Sequence, residues 1–600
     1  RNLSGLFSGC SSLTSLDLSG WDVSSATDFS RMFQFCSSLE SLNLAGWDLS
    51  SATSLDGMFH VCSALTSLSL SGWDVSSVTN FGWMFSNCKS LASFDVSGWD
   101  VSGAKDFAYM FSGCRSLESL DLSSWKVDTL ESAYSMFANC TSLKSLNLSG
   151  WDIPDCASVD HMFSNCQSLA SLDLSGWRIA DDALSTPGAS SNSTMFNECT
   201  ALRELKLADS DAYTVSSILG VLDPAARKGL ENLDASNADL SGETSLRGLF
   251  DQMTGLASLD LSGWDVSGVQ DFSQMFQGCS SLATIDLTGW DMSNATKLCK
   301  MFEGCSSLTS LDLTGWNVSL TADLSSMFEG CTSLASLDLS GCTAQTARLL
   351  LQALSTPAAI TSLSLSDMNL AGVEDLSGMF EGLSSLESLD ISEWDISGVK
   401  DLSDMFAGMA SLKSLNLTSW DVSGVEHFAR MFDGCSSLES LDLSGWDVSR
   451  GTDLSMMLSG LSGLTALNLS DWDASCAASV LAGLSDPALL QSLRLSGLAV
   501  SQGNISDMFE PLSGLISLDV SNWAISGSPN LSGLLAPLPS LSSLNISSWD
   551  VSGATSLSGL FSGCAKIEAL DLSDWDVSRV SDFSSMFAGD AALVSLDLSS

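Results

Sequence analysis

Basic side chains are scarce in this sequence. Only 23 Lys and Arg stand against 71 Asp and Glu, for a net charge of −48 over 600 residues. Nucleic acids and anionic lipid surfaces are bound by neutralising phosphate with Lys and Arg, so neither is expected as a partner. Basic proteins, neutral glycans and cations suit the chain better. Histidine is rarer still, with His60, His161 and His427 far apart. No Ser-His-Asp or Cys-His arrangement can be assembled from them. The 17 cysteines contain no CxxC, so the spacing of a zinc site is missing too. No run of about 18 apolar residues exists, so no helix spans a bilayer, and no signal peptide is visible. Arg1 and Ser600 both fall inside a repeat, which predicts a segment of a longer protein.

What is present is repetition. The pattern LxxLxL occurs 23 times, from Leu13 to Leu593, at a spacing of 26 except after Leu169 (33), Leu202 (28) and Leu490 (25). A typical unit reads MFxGCSSLxSLDLSGWDVSxxxDFSx. Within it, LTSLDLS alternates apolar and polar residues, as a strand with one buried face does. Gly-Trp-Asp follows as a turn. Phe29, Met32, Phe33 and Cys36 then recur at a spacing of 3 to 4, which predicts a short helix or helical turn on the opposite side. One unit cannot bury its apolar side alone, so the units must stack into a solenoid. With about 4.8 Å between neighbouring strands, 23 coils would extend on the order of 110 Å. A propeller is excluded because its repeat needs about 40–45 residues. The predicted fold is an α/β repeat solenoid of leucine-rich-repeat type running over residues 1–600 as one domain. It has about 23 coils of 26 residues, one short parallel strand per coil, and mostly short helical or 3-10 convex segments.

The stretch MFQFCSSLESLNLAGWDLSSATSLDGMF, repeated with small changes along nearly the whole chain, resembles the BspA-type leucine-rich repeat of bacterial cell-surface proteins. That resemblance implies an extracellular, surface-anchored or secreted protein, of a kind proposed as an adhesin for host matrix or neighbouring cells. It implies no catalytic residues.

Three coils depart from the pattern. DAYTVSSILGVLDPAARKGLENL, TAQTARLLLQALSTPAAITSL and DASCAASVLAGLSDPALLQSL carry Leu, Ile or Val at helical spacing. They predict longer helices near 212–230, 344–356 and 474–486, each ended by a proline (Pro224, Pro357, Pro487). The strands before them begin at Leu202, Leu334 and Leu464, five repeats apart, which points to duplication of a five-coil block.

Substitutions within each register separate core from surface. Thirteen cysteines share one position that elsewhere holds Met253, Leu383, Met409, Leu461, Leu512 or Leu538, as a small buried plug would. Trp fills its register in 17 of 22 complete coils, and Ala238, Cys342, Met368 and Leu498 among the exceptions favour a buried corner. Trp83 lies outside that register and is a candidate exposed anchor. The outward strand position holds Asp in 14 coils and Asn in 5, with Ser69, Ser364, Lys206 and Arg494 in the others; Ser stands two places earlier in 18 of 23. Directly stacked like charges are unfavourable, so bound cations, Asn interruptions or Ser hydrogen bonds should relieve them. The candidate binding face comprises Asp17, Asp95, Asp121, Asp173, Asp260, Asp286, Asp312, Asp338, Asp390 and Asp442.

No carboxylate is set apart from its copies, so no enzyme is expected. No cofactor is implied; a divalent cation such as calcium is permitted, but the glycine-rich nonapeptide that binds it in some β-helices is missing. The function expected is extracellular cell-surface adhesion through an extended solenoid surface, with a protein or glycan on a host or neighbouring cell as ligand. The alternative is a structural stalk or self-assembling filament, in which the chain associates with itself.

Overall fold

The computed structural model describes residues 1–600 except 94, 154–156, 180–194, 501–504, 506, 526–529 and 600. The chain is a parallel-strand solenoid of about 21 turns, about 26 residues apart, with little helix. It divides into two compact units: residues 1–309 with 325–331, and residues 310–324 with 332–600.

The strands of the repeated LxxLxL segment are three residues long and pair in parallel, leucine on leucine; a shorter pair, Ala499–Val500 with Ala524–Ile525, is also parallel. In the first unit six of them, from Ser119–Asp121 to Ser258–Asp260, form one sheet. In the second, five run from Ser440–Asp442 to Ser543–Asn545. A constant period places each Leu beside its copy, as Leu120 beside Leu146 and Leu146 beside Leu172. The 33-residue step leaves this register intact, because Leu172 still faces Leu205.

The convex block corrects the expected helical or 3-10 segment. Residues 29–36 form consecutive β-turns, with Met32 N–H bonded to Phe29 O at 3.2 Å, Gln34 to Arg31 at 3.1 Å and Cys36 to Phe33 at 3.1 Å. The alternate amides of Phe29, Arg31, Phe33 and Phe35 donate instead to Ser54, Asp56, Met58 and His60 of the next coil, at 2.7–3.1 Å. An α-helix would use these N–H groups within its own segment and leave none for the neighbour. The turns are made possible by left-handed residues two and six places into the block, Arg31 at φ 57° and Phe35 at φ 61°. Both geometries place apolar residues 3 to 4 apart, which is why the spacing alone suggested a helix.

True helices occur only in the three departing coils among the described residues: α1 (Ala212–Gly220), followed by α2 (Pro224–Gly229), α3 (Ala344–Gln352) and α4 (Ala474–Ala482). Asp211, Thr343 and Asp473 cap α1, α3 and α4 by accepting the N–H of Thr214, Thr346 and Ser475. These helices are shorter than 212–230, 344–356 and 474–486. The prolines do not close them: Pro224 opens α2, and Pro357 and Pro487 open 3-10 turns at Pro357–Ala359 and Pro487–Leu489. Proline is accommodated at a first helical position because no N–H is needed there.

Inside each coil the repeated apolar residues stack on their copies. Phe33, Phe59 and Phe85 lie 5.6–5.7 Å apart with nearly parallel rings, and Trp125, Trp151 and Trp177 follow at 6.2 and 6.4 Å. In many coils two side chains reach back 29 residues to a carbonyl of the preceding coil. Trp151 Nε1 donates to Leu122 O at 3.0 Å, and Cys62 Sγ donates to Phe33 O at 3.1 Å. The cysteine register therefore supplies a weak donor as well as a plug. Burial pushes the Cys88 and Cys140 thiols up to about 12, whereas Cys10 is exposed. Only thiolate reacts with alkylating agents. Iodoacetamide at about pH 8 should therefore modify Cys10 and spare Cys62, Cys88, Cys114 and Cys140 until denaturant is added. Peptide mapping that found these four alkylated as fast as Cys10 would contradict this core.

Candidate functional site

All ten candidate aspartates end a strand or its equivalent, and all ten take part in the same local turn. Asp95 Oδ1 accepts both the N–H of Ser97 at 3.0 Å and its hydroxyl at 2.6 Å. Asp286 and Asp312 hold Thr288 and Thr314 in the same way, and Asp338, Asp390 and Asp442 hold Ser340, Ser392 and Ser444. Asp17, Asp121, Asp173 and Asp260 accept the N–H two residues on at 2.9–3.0 Å. This Asx turn is what brings the chain off the sheet toward the tryptophan. The Ser97 hydroxyl and N–H hold the Asp95 carboxyl below its ordinary range, and those of Ser392 do the same for Asp390.

The carboxylates nevertheless stay at the surface. Asp17, Asp95, Asp121, Asp260, Asp286, Asp390 and Asp442 are exposed; Asp173, Asp312 and Asp338 are half-buried. Like charges meet side by side at few places in the sheets. Asp121 faces Asn147, Asp173 faces Lys206, Asp442 faces Asn468 and Arg494 faces Asp519, whereas Asp234 with Asp260, Asp312 with Asp338 and Asp571 with Asp597 remain acidic pairs. Asn interruptions and Ser hydrogen bonds therefore relieve much of the repulsion. Among the described residues no group of three or more His, Cys, Asp or Glu is placed to hold a metal ion. Asp390 also borders an open groove of ≈ 530 Å³, which it shares with Ser364, Asp367, Met368, Glu393 and Trp394. Met368 fills the tryptophan register there with a narrower side chain.

In a typical coil two further aspartates make the same turn, and sequence reasoning did not separate their roles. Asp100 in the Trp-Asp pair accepts the N–H and hydroxyl of Ser102, and Asp271 accepts the N–H of Ser273 at 2.9 Å. The signal was the recurrence of Asp-x-Ser three times per unit. The tryptophans beside these corners are buried, Trp125, Trp151 and Trp177 completely, except Trp21, which is 42% exposed. Trp83 is instead 40% exposed, at φ 57° on the turn side of the coil.

A family model described as a Mycoplasma protein of unknown function, DUF285, matches residues 1–119, 66–177, 230–349, 350–485 and 503–599. The chain belongs to the DUF285 family. Its matches fall in both units. No curated protein matches this DUF285 chain. Among solved structures it is similar to an internalin from Listeria monocytogenes, at 16% identity over 64% of this chain and 88% of that one, with a TM-score of 0.26. A leucine-rich-repeat protein of Leptospira interrogans matches at 17% identity over 70% of this chain and 86% of that one, TM-score 0.27. The leucine-rich-repeat ectodomain of a plant membrane receptor kinase from Arabidopsis thaliana matches at 15% identity over 91% and 70%, TM-score 0.23.

Proposed function

We propose that this DUF285 chain is a non-catalytic, extracellular interaction protein of BspA type that binds protein or glycan on a host or neighbouring cell. The observation that carries the reading is the strand face: a periodic array of Ser and Asp, surface-exposed in most coils, on a rigid sheet. The array offers many weak polar contacts at one repeat, which suits an extended ligand bound multivalently. No helix of the described residues is long and apolar enough to cross a membrane.

The charge can be removed without removing the turn. Asn147 occupies the aspartate position and accepts Ser149 N–H at 3.0 Å, as aspartate does. Replacing Asp95, Asp121, Asp173 and Asp260 together by Asn should therefore keep the circular dichroism spectrum. It should weaken binding to an array of purified matrix proteins and glycans by about tenfold or more. An unchanged binding profile would remove the strand face as the site. Sedimentation of the unliganded chain as concentration-dependent polymers would favour the filament alternative.

A further inference from the structure

The turn face of the first unit carries a second feature that the repeat does not require. Phe35, His60, Trp83, Tyr109, Tyr134 and His161, drawn from different registers of successive coils, form one continuous line of ring contacts. Their centroids lie 5.5, 5.3, 3.9, 5.4 and 5.4 Å apart in that order. Two of the three tyrosines and two of the three histidines in the chain are in it. Phe35 is 47% and Trp83 40% exposed, and the other four are half-buried. Trp83 and Tyr109 both occupy the left-handed turn position at φ 57°. Gly57, Gly248 and Gly378 fill that position in other coils, at φ 59–63°. Arg31, Gln274, Lys300, Arg430 and Met456 fill it in others, at φ 54–61°, so the turn accepts glycine and varied side chains and does not call for a ring, although a bulky residue there carries strain.

The groups around the line are acidic. In the six stretches 28–35, 54–61, 80–87, 106–113, 132–139 and 158–165, Asp28, Asp56, Asp106 and Asp160 stand against Arg31 alone. Asp56 and Asp106, two coils apart, converge on Gly82 next to Trp83: a Cβ on that glycine would lie 3.5 Å from Asp56 Oδ1 and 3.2 Å from Asp106 Oδ2. Burial, and then the neighbouring Asp56 charge, raise the Asp106 carboxyl above its ordinary range, as expected of a carboxylate that lacks a cation. Asp56 already holds the Arg31 guanidinium at 3.3 Å.

We propose that this ridge of rings and carboxylates docks an arginine-rich basic peptide, with guanidinium groups seated on Asp56 and Asp106 and their stems packed along Trp83 and Tyr109. Guanidinium is the cation suited to both partners, because it pairs with carboxylates and lies flat on aromatic rings. A neutral glycan fits less well. Trp83 and Tyr109 stack on each other with an interplanar angle of 22°, so a face of each ring is already covered, and the surrounding charge is of one sign. The ridge lies on the turn side, apart from the strand face proposed above, so the two sites can fail independently.

The test uses the whole chain and three labelled probes at physiological salt: octa-arginine, octa-aspartate and maltohexaose. Octa-arginine should bind and octa-aspartate should not. The double variant Trp83→Gly with Tyr109→Gly leaves the net charge unchanged and installs the residue other coils use there, so it folds. It should weaken octa-arginine binding by about tenfold or more. Asp56→Asn with Asp106→Asn should give a similar loss. The four-site strand-face variant, which removes twice as many charges, should change it by less than about twofold. Equal losses in the strand-face and Asp56/Asp106 variants, or unchanged binding without the two rings, would reduce the effect to diffuse charge and overturn the proposal. Maltohexaose binding that vanishes with the rings would overturn it in favour of a glycan site.

Discussion

Trp151→Ala should open the first unit locally, at a cost of about 3–5 kcal/mol. The indole is fully buried between Trp125 and Trp177 with rings 8° from parallel, and Phe107 lies 6.3 Å away. Its truncation leaves a cavity that two rigid neighbouring coils cannot collapse to fill, and it removes the bond to Leu122 O. Because each coil contacts chiefly its neighbours, the loss falls on one pair of interfaces rather than on the whole stack. Hydrogen exchange should therefore accelerate in the coils around residues 117–177, with amides of the second unit unaffected. Trp151→Phe keeps a stacked ring and loses chiefly the indole bond, so it should cost about 1–2 kcal/mol. Uniform acceleration across both units, or none in this region, would mean that the tryptophan register does not couple the coils.

Arg227→Met should be comparably damaging, by about 2–4 kcal/mol, although arginine is rarely a core residue. Its guanidinium donates to Leu219 O at 2.7 Å, Leu249 O at 3.2 Å and Asp251 O at 3.1 Å. Leu219 lies in the last turn of α1, where carbonyls have no helical partner, and Leu249 and Asp251 belong to the turn block of the next coil. One side chain thus fastens a helix, which cannot form the inter-coil turn ladder, to a neighbour that still presents it. Burial lowers the Arg227 pKa, with Asp251 opposing, and arginine remains charged throughout the accessible range. Methionine fills similar space but leaves three carbonyls with a donor removed. Limited proteolysis should then cut within residues 212–230, where the parent chain resists. Arg227→Lys can satisfy fewer of the three and should fall between. Undiminished resistance in the methionine variant would show that α1 is held by its apolar face alone.

The parts of this protein legible from sequence are those that depend on period and on residue type at one register. The 26-residue step predicts parallel strands in register. Substitution of Trp by Met368 or Leu498, and of Cys by Leu383 or Met409, marks those positions as buried; the structure buries Leu498, Leu383 and Met409 and leaves Met368 half-buried beside the groove. Asp at the alternate strand position faces outward for the same reason: side chains along a strand alternate.

Three features needed the tertiary structure. Phe29, Met32, Phe33 and Cys36 have a spacing common to a helix and to consecutive turns; only stacking decides, because the next coil offers carbonyls to every second amide. The aspartates read as a free binding face also close Asx turns, a bond two residues long that no repeat count reveals. The aromatic ridge joins positions that differ from coil to coil, His60 from one register, Trp83 and Tyr109 from another and Tyr134 from a third. Each looks like an isolated departure in the sequence. They become one surface because coils about 5 Å apart bring side chains 23 to 27 residues distant into ring contact.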